Sequence, residues 1–358
     1  MSLSVTLADP LEAMVYGPSA RTLRVGLVIP RSGVMGLVGP SALEAALLAA
    51  QEVNRAAGPD GRPVELVVAD SGGDPSQVAR TVSDLAASGA VEAFVGLHTS
   101  RTLLHVERAL DGRLPYVFTA GFEATRTRPA VYCPGETPEQ FAVSLGRVIR
   151  ERGVRDWAIL GTDYVWPRAM RVAQLLAVPR YDGRVVLDRT LPLGRAGEVA
   201  DVVLDELLSS GAGGVVLNTP GRDQVVLLKA LRRRGLDRKL VRVSGCLEEN
   251  TLYAINGDGS GNLYASSHSF DTLASPKRLD LEDRYRSAVG EEAPVLNAWA
   301  EHCYDSVHYL ARCDARGLLT AEAFTTQVTA EAGSSEAAPR PEYDMHLAVA
   351  EGLSFTVL

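Results

Sequence analysis

LRVGLVIP, at residues 23–30, is an apolar run of strand length, and the pattern around it decides the fold. A helical pattern follows at residues 41–57, and a second apolar run, VELVVAD, lies at residues 64–70. Strands on either side of a helix are typical of a βαβ unit, whose strands lie parallel in one sheet that helices cover on both faces. The sequence therefore predicts a parallel α/β sheet.

The alternation of helix and strand continues along the chain and starts a second time after Pro138. The first series adds a helix at residues 74–88 and the strand VEAFVG at residues 91–96. In the second series, helices are predicted at residues 139–152, from 167 onward, 198–209 and 223–234. The strands between them are predicted at residues 157–161, 184–191, 213–218 and 239–245. We therefore expect two α/β sheets in series.

The last part of the chain departs from this alternation. Helices are predicted at residues 276–287 and 296–312 with no strand between them, and AEAGSSEAAPRP, at residues 330–341, is predicted to be a loop. Two β-like runs, MHLAVA and LSFTVL, follow at residues 345–358 in the pattern of a hairpin. The length of 358 residues is expected to form two domains. Helices without intervening strands, followed by terminal strands, suggest that this part returns to complete both earlier domains.

The composition argues against two classes of partner. The net charge is −8, from 36 Lys and Arg against 44 Asp and Glu. A protein that binds nucleic acid presents a basic face, so direct binding of DNA or RNA is not expected. No stretch reaches the roughly 18 consecutive apolar residues of a membrane span, so no span is expected either.

The start of the sequence bears on location. MSLSVTLADPLEAMVYGPSAR lacks the basic and then apolar pattern of a secretory leader, because two acidic residues and a proline interrupt it at positions 9, 10 and 12. The chain as written is expected in the cytoplasm, and in the periplasm or outside the cell if MSL replaces a removed leader. The cysteines show no CxxC spacing and are expected to be reduced and buried; they are Cys133, Cys246, Cys303 and Cys313.

Sequence motifs for catalysis and metal binding are absent. The glycines of DSGGDPSQVARTV, at residues 70–82, lack the spacing of a dinucleotide or phosphate loop. His302 and His308 are six residues apart on one predicted helix and do not share a face as zinc ligands would. Cys246 follows a strand without an evident base, which favours packing over nucleophilic attack. We expect no catalytic residue, metal or cofactor, and a Rossmann-like enzyme is the least favoured alternative.

Small polar and aromatic residues recur at the carboxyl ends of the predicted strands, the edge at which open α/β sheets bind ligands. Aromatic rings exclude water from a small ligand, while hydroxyls and helix N-terminal N–H groups fix its polar atoms. Helix capping and local packing are the alternative roles for such residues. The predicted ligand-binding residues are His98, Ser100, Thr119, Ala120 and Gly121 in the first domain and Tyr164, Trp166 and Thr219 in the second.

Several stretches resemble the type I periplasmic binding proteins of the leucine/isoleucine/valine-binding kind. These stretches are GRPVELVVADSGGDP, FVGLHTSRT, VYCPGETPEQ, WAILGTDYVWPR and NAWAEHCYDSVHYL. Within the family, GTDYVWPR and DSGGDP are similar to the cytoplasmic amide sensor that represses the aliphatic amidase operon, and to the urea and short-chain amide binding components of transporters. The resemblance covers the chain from about residue 23 onward.

The resemblance implies a fold and a set of domains. The fold is α/β, with two Rossmann-like parallel-sheet domains joined by three hinge crossings. The crossings fall near residues 132–138, 267–272 and 333–341. The corresponding domains are an N-terminal extension at residues 1–21, a first ligand-binding lobe at residues 22–134 and 271–332, and a second lobe at residues 135–270 and 333–358.

The resemblance also implies roles for individual residues. Ser100 and Thr119 are expected to bind the ligand's carbonyl or carboxylate oxygen, and Tyr164 is expected to close over the ligand. His98 and Trp166 stand at positions where the amide sensor has aromatic residues, which implies a pocket of altered shape.

The charge of the ligand depends on the first crossing. Amino-acid binders in this family hold the ligand's ammonium there with an acid, at a position that aligns with Thr137, next to Glu136. Unless Glu136 turns inward, no counter-charge faces an α-amine, and burying an unpaired ammonium is costly. This favours a neutral amide, urea-like or nitrile-derived ligand. Glu248 and Glu249 are an alternative source of charge, although carboxylates are common in the first turn of a helix.

The sequence therefore predicts a non-catalytic ligand sensor that closes around a small polar molecule and changes its interaction with a regulatory partner. The resemblance implies an antitermination regulator as that partner, and a ligand shifts such an equilibrium only by its differential affinity for the two states. The alternative is the substrate-binding component of an ABC transporter for branched-chain amino acids, amides or urea, with an ABC permease as partner. A homodimer is one alternative for the oligomeric state.

Overall fold

A computed structural model describes residues 6–57, 61–123, 128–331 and 344–358 of the chain. The helices in these ranges are α1 (Pro10–Tyr16), α2 (Gly39–Ala56), α3 (Pro75–Ala87), α4 (Ser100–Leu110), α5 (Pro138–Arg152), α6 (Val165–Arg180), α7 (Ala196–Ser209), α8 (Gly221–Arg233), α9 (Glu249–Ala254), α10 (Pro276–Val289), α11 (Ala298–Ala315) and α12 (Ala321–Glu331). The strands are β1 (Leu7–Ala8), β2 (Leu23–Ile29), β3 (Val64–Asp70), β4 (Ala93–Gly96), β5 (Tyr116–Phe118), β6 (Val131–Tyr132), β7 (Asp156–Thr162), β8 (Arg184–Leu191), β9 (Gly214–Asn218), β10 (Val241–Ser244), β11 (Leu263–Ser267), β12 (His346–Glu351) and β13 (Ser354–Val357).

The chain folds as two compact units, and each is built on one sheet. The first unit comprises Met1–Ser32, Val38–Gly135 and Glu282–Glu342, and the second comprises Gly33–Leu37, Glu136–Leu281 and Tyr343–Leu358.

The first unit contains a parallel sheet in the order β1-β3-β2-β4-β5-β6. Nearly every side chain of β2 is buried, which is expected of a central strand whose two faces are both covered by helices. Helix α2 packs against α11, and α3 packs against α4. The short strand β1 pairs with β3 through Leu7 and Leu66, so residues near the start of the chain extend the edge of this sheet.

The second unit contains a sheet in the order β13-β12-β11-β10-β9-β7-β8. Its strands from β7 to β11 are parallel, while β12 and β13 add an antiparallel hairpin at one edge. Trp157 is fully buried on one face of this sheet, beside Gly214. A Cβ atom on Gly214 would stand 2.6 Å from that ring, so only glycine leaves room for it.

The structure confirms the predicted fold class, because both units are parallel-dominated sheets with helices between successive strands. The terminal hairpin is confirmed as well. Sequence reasoning missed β1, β6, α1, α9 and α12. Most of the predicted loop at residues 330–341, and the predicted third crossing at residues 333–341, lie outside the described residues. The limits of the predicted extension and lobes stay a prediction.

Candidate functional site

In the first unit, the carboxyl end of β4 leads directly into the start of α4. Thr99 is the N-cap of this helix, and its hydroxyl accepts a hydrogen bond from the Thr102 N–H at 3.4 Å. Ser100 is the first helical residue and is buried. Because the first N–H groups of a helix have no partner within it, this end of α4 is suited to bind polar groups of a ligand.

Glu123, which sequence reasoning missed, interacts with Ser100. The Ser100 hydroxyl and the Glu123 backbone N–H both hydrogen-bond the Glu123 carboxyl group. The side chain is 8% exposed, and this burial raises its pKa above the ordinary value. Its Oε1 atom has no hydrogen-bond partner among the described residues. No sequence signal marks Glu123, because it lies beyond β5 in a segment without periodicity.

A second buried glutamate, Glu107, lies two helical turns after Ser100 on the same helix. It is also 8% exposed, and it accepts a hydrogen bond from the Arg128 N–H. Burial is the main cause that raises the pKa of Glu107, and the nearby charge of Glu123 raises it further. In the part of the chain that the structure describes, its Oε1 atom is also without a hydrogen-bond partner.

The predicted residues Thr119, Ala120 and Gly121 follow β5, the strand next to β4. Thr119 is fully buried, and its hydroxyl donates a hydrogen bond to the carbonyl oxygen of Gly96 at 3.1 Å. The Thr119 carbonyl oxygen accepts a hydrogen bond from His302 Nδ1 at 2.9 Å. Ala120 is buried and Gly121 is half-buried. Parallel pairing of β4 and β5 therefore brings these residues to the same sheet edge as the start of α4.

His98 lies within the core of the first unit. Its Nε2 atom is 2.5 Å from the Tyr116 hydroxyl, and its Nδ1 atom is 3.1 Å from the Thr99 carbonyl oxygen. The ring packs against Phe118, with centroids 5.1 Å apart. Burial lowers the pKa of His98 to about 4, so the ring is neutral at physiological pH. Because the protein engages both ring nitrogens, only the carbon atoms of His98 remain for contact with a ligand.

In the second unit, Tyr164 and Trp166 lie where β7 leads into α6. Tyr164 is the N-cap of α6, and both aromatic side chains are buried. They pack in one cluster with Phe141, Met170 and Cys246. The Phe141 and Trp166 rings meet edge to face, with centroids 5.8 Å apart. We call these five residues the aromatic cluster.

Cys246 has a packing role in the aromatic cluster, as predicted. The Trp166 side chain hydrogen-bonds the Cys246 side chain. Burial raises the pKa of Cys246 to about 12, so the group remains a thiol at neutral pH. Since the thiolate is the nucleophilic form of cysteine, this environment does not activate it.

Thr219 lies at the same sheet edge as Tyr164, because β9 pairs with β7. It is fully buried, and within the described ranges its Oγ1 atom has no hydrogen-bond partner. With the Gln224 amide turned so that its oxygen accepts from the Ser244 hydroxyl, its nitrogen donates hydrogen bonds to the carbonyl oxygens of Thr219 at 2.6 Å and Cys246 at 3.2 Å. The structure thus brings Thr219 and the aromatic cluster to one edge of the second sheet.

Glu136 and His268 form a buried pair in the second unit. The Glu136 carboxylate lies 2.5 Å from His268 Nδ1, and the two side chains are 3% and 7% exposed. Glu136 also raises the pKa of Cys246, which places its charge near the aromatic cluster. Thr137 begins α5 with a capping box, in which Gln140 Oε1 accepts from the Thr137 N–H at 2.8 Å. His268 was missed by sequence reasoning, although its position just after β11 is a signal of the kind used for the other strands.

Glu248 and Glu249 have different environments at the start of α9. Glu248 is the N-cap, and its carboxylate accepts hydrogen bonds from the N–H groups of Asn250 and Thr251. Glu248 therefore caps the helix, and Glu249 is the acidic residue of its first turn. Glu249 is 1% exposed, and its Oε1 atom accepts from the Asp271 N–H at 2.9 Å. Burial, together with the charge of Asp271, raises the pKa of Glu249 to about 8.

Residues 22–346 match the model of the periplasmic binding protein family. The chain belongs to this family. The resemblance found in the sequence is thereby confirmed at the level of the periplasmic binding protein family.

Several solved structures have a similar fold. A leucine binding protein, LivK, from Thermotoga maritima is 15% identical over 94% of this chain and 98% of its own, with a TM-score of 0.79. The branched-chain amino acid transporter substrate binding protein LivJ from Streptococcus pneumoniae, in complex with isoleucine, is 18% identical over 94% and 99%, with a TM-score of 0.77. An ABC transporter solute binding protein from R. palustris, in complex with benzoate, is 17% identical over 94% and 95%, with a TM-score of 0.77. At these identities the likeness shows the fold alone.

Membership of the family favours a periplasmic location, and it does not support the cytoplasmic location predicted from the sequence. None of the helices in the described ranges has both the length and the apolar character that a membrane crossing requires.

Proposed function

We propose that this chain is a non-catalytic binding protein for a small molecule that carries an amide, urea-like or carboxylate group. The observation that carries the proposal is the aromatic cluster at the carboxyl edge of the second sheet, where open α/β sheets bind ligands. A pocket that combines aromatic rings with few polar groups is typical of small-molecule sites. In the first unit, polar groups lie at the carboxyl edge of its own sheet, at the start of α4 and after β5.

The proposed contacts are given for each unit by itself. From the first unit, Ser100 contacts the polar end of the ligand, and Thr119, Ala120 and Gly121 line the edge beside it. His98 supports this edge through its hydrogen bond to Tyr116. From the second unit, Tyr164 and Trp166 cover the apolar part of the ligand, with Thr219 at the same edge.

The favoured role is the solute-binding component of an ABC transporter. Family membership supports it, as do structures of similar fold whose bound molecules are isoleucine and benzoate, both of which combine a carboxylate with an apolar part. The second candidate is a ligand sensor with a regulatory partner, which the resemblance of GTDYVWPR to the amide sensor favours. Precipitation of the protein with an antibody from the native source, with and without ligand, distinguishes the two roles. A permease that co-precipitates when ligand is present supports the transporter role. A regulator that co-precipitates only when ligand is absent supports the sensor role.

The binding proposal is tested by thermal shift and then calorimetry against acetamide, butyramide, urea, leucine, glutamate and benzoate. A ligand present at 100 times its Kd adds about 2.7 kcal/mol to the free energy of unfolding, which gives a clear shift in Tm. If none of these molecules raises the Tm or releases heat on binding, the proposed ligand class is wrong.

Tyr164→Ala tests the role of the aromatic cluster. The affinity for whichever ligand binds the native protein is expected to fall about tenfold or more, because an aromatic anchor is lost. Tyr264→Ala is the matched control, since Tyr264 is as buried as Tyr164 (6% against 5% exposed) but packs in a different cluster of the same unit. Equal loss of affinity in both variants would mean that the effect is general destabilisation.

A further inference from the structure

Helix α1, near the start of the chain, exposes three large apolar side chains. Of its residues, all of which the structure describes, only Ala13 is buried. Leu11, Val15 and Tyr16 are 69%, 80% and 76% exposed. So short a helix is marginal in water by itself, and packing of its apolar side chains is what normally stabilises it. A group of exposed apolar side chains is typical of an interaction surface.

The charges beside these side chains are negative. Asp9 is the N-cap of α1, and Glu12 lies in its first turn. Both residues are exposed, and residues 7–16 contain no Lys or Arg. We call Asp9, Leu11, Glu12, Val15 and Tyr16 the α1 face. It is an apolar surface with negative charge at the N-terminal end of the helix.

Helix α6 of the second unit also exposes apolar side chains. Val172 is 54% exposed and Leu176 is 69% exposed, and a spacing of four residues places them on one face of the helix. The same spacing adds Arg168 before them and Arg180 after them, both exposed. We call these four residues the α6 face. Because surface helices normally turn polar residues to water, its exposed centre indicates a face that a partner covers.

The charge of α6 is positive, since the helix contains arginines and neither Asp nor Glu. Arg168 pairs with Asp163, with 3.0 Å between Nε and Oδ1. Arg180 has no ion pair among the described residues. Close to this end of α6, the Arg150 guanidinium lies 4.8 Å from the centroid of the Tyr181 ring. A carboxylate from a partner is therefore favoured beside Arg180.

The charges decide which of these surfaces can meet. If the α6 faces of two copies packed antiparallel on each other, Arg168 of one copy would approach Arg180 of the other, and two α1 faces would bring carboxylates together. Such like charges are unfavourable in a contact. An α1 face against an α6 face joins opposite charges instead. Each face also has two aliphatic side chains one helical turn apart, about 6 Å along the axis, so the apolar centres match.

We propose that the α1 face of one copy of this protein docks on the α6 face of a second copy. The two helices lie antiparallel, which places Asp9 and Glu12 beside Arg180 and sets the aliphatic side chains against each other. Because two different surfaces meet, the contact either occurs twice in a closed pair or continues from copy to copy in an open chain. The contact area of one short helix is small, so the association is weak.

Sedimentation velocity of the native protein tests the contact at concentrations from about 5 to about 500 µM, a range suited to weak interfaces. The weight-average sedimentation coefficient is expected to rise with concentration. The rise is expected to be smaller in about 1 M NaCl, because salt screens the ion pairs. A sedimentation coefficient that does not change with concentration would overturn the proposal.

Charge reversal on each face tests which surfaces meet. Glu12→Arg alters the α1 face and Arg180→Glu alters the α6 face, and each variant alone is expected to associate about fivefold more weakly. An equal mixture of the two variants is expected to recover association, because the native α6 face of the first variant can bind the native α1 face of the second. If the mixture associates no better than either variant alone, the two faces do not bind each other.

An apolar substitution with a matched control tests the centre of the contact. Val172→Ser is expected to weaken association about fivefold. Val202→Ser is the control, because Val202 is 57% exposed on a different helix of the same unit. Association of Val202→Ser is expected to equal that of the native protein, and an equal loss in both variants would contradict the assignment of the α6 face.

An anionic lipid surface is the other occupant that a basic and apolar helix face can bind. Vesicles of phosphatidylcholine with phosphatidylserine are the probe, and the native protein is expected to remain in solution when they are pelleted. Pelleting of the native protein but not of Arg180→Glu would assign the α6 face to lipid and overturn docking of a second copy.

Discussion

Replacing Glu249 with Gln is expected to change how the stability of the second unit depends on pH. Glu249 is 1% exposed, and its pKa is raised from 4.5 to about 8 by burial and by the charge of Asp271. Between these two pH values, the folded protein keeps the Glu249 proton while the unfolded chain has released it. The folded state binds more protons there, so this group makes the free energy of unfolding fall as the pH rises.

The size of the effect follows from the span of that window. Each pH unit within it lowers the free energy of unfolding by about 1.4 kcal/mol, so the loss between about pH 5 and about pH 7.5 is about 3 kcal/mol. Gln has nearly the same shape, does not titrate, and keeps an oxygen that can accept from the Asp271 N–H. The stability of Glu249→Gln relative to the native protein is therefore expected to rise by about 3 kcal/mol over the same range.

The assay is urea denaturation at several pH values, followed by tryptophan fluorescence. Trp299 lies in the first unit, and Trp157 and Trp166 lie in the second, so a Trp299→Phe background reports the second unit. Glu139→Gln, at an exposed position of α5, shows the effect of removing one surface charge. If the difference between Glu249→Gln and the background protein stays constant within about 0.5 kcal/mol, the burial argument for Glu249 is wrong.

Two more predictions concern buried polar groups. Folding lowers the pKa of His98 from 6.5 to about 4, so the native protein loses about 3 kcal/mol of stability as the pH falls through that window. His98→Gln is expected to remove this pH dependence, which has the opposite sign to that of Glu249. Equal acid sensitivity of the two proteins in urea denaturation would contradict this. Arg242→Met is expected to lower the free energy of unfolding by about 3–5 kcal/mol, because Asp258 is 3% exposed and loses its buried partner at 2.8 Å. The double variant Arg242→Met with Asp258→Asn is expected to recover part of that loss. A double variant less stable than the single one would refute the ion-pair explanation.

The repeated pattern of helices and strands was sufficient to predict the fold class. Apolar runs such as residues 214–218 predict strands because a strand covered on both faces must be largely apolar, and this requirement is local in sequence. Of the missed elements, α12 has eleven residues, and the others are short: β1 and β6 have two residues each, α9 has six and α1 has seven. Segments of this length carry too little periodicity to be recognised, and tertiary pairing or a cap stabilises them instead.

The positions of the candidate site residues were also accessible from the sequence. Tyr164, Thr219 and Cys246 each follow a strand, and parallel pairing must bring such positions to one edge. The rule that ligands bind at this edge is general, so it needs no knowledge of the partners of individual side chains.

What each of these polar groups does was decided only by the tertiary structure. Ser100 alone reads as a donor to a ligand, and only its contact with Glu123 shows where its proton goes. Glu136 alone reads as a free acid, and only folding places it beside His268, 132 residues away. The physical reason is that secondary structure follows from local periodicity, whereas a hydrogen-bond partner, and with it a group's protonation and polarity, is set by whichever residues the packed chain brings within about 3 Å.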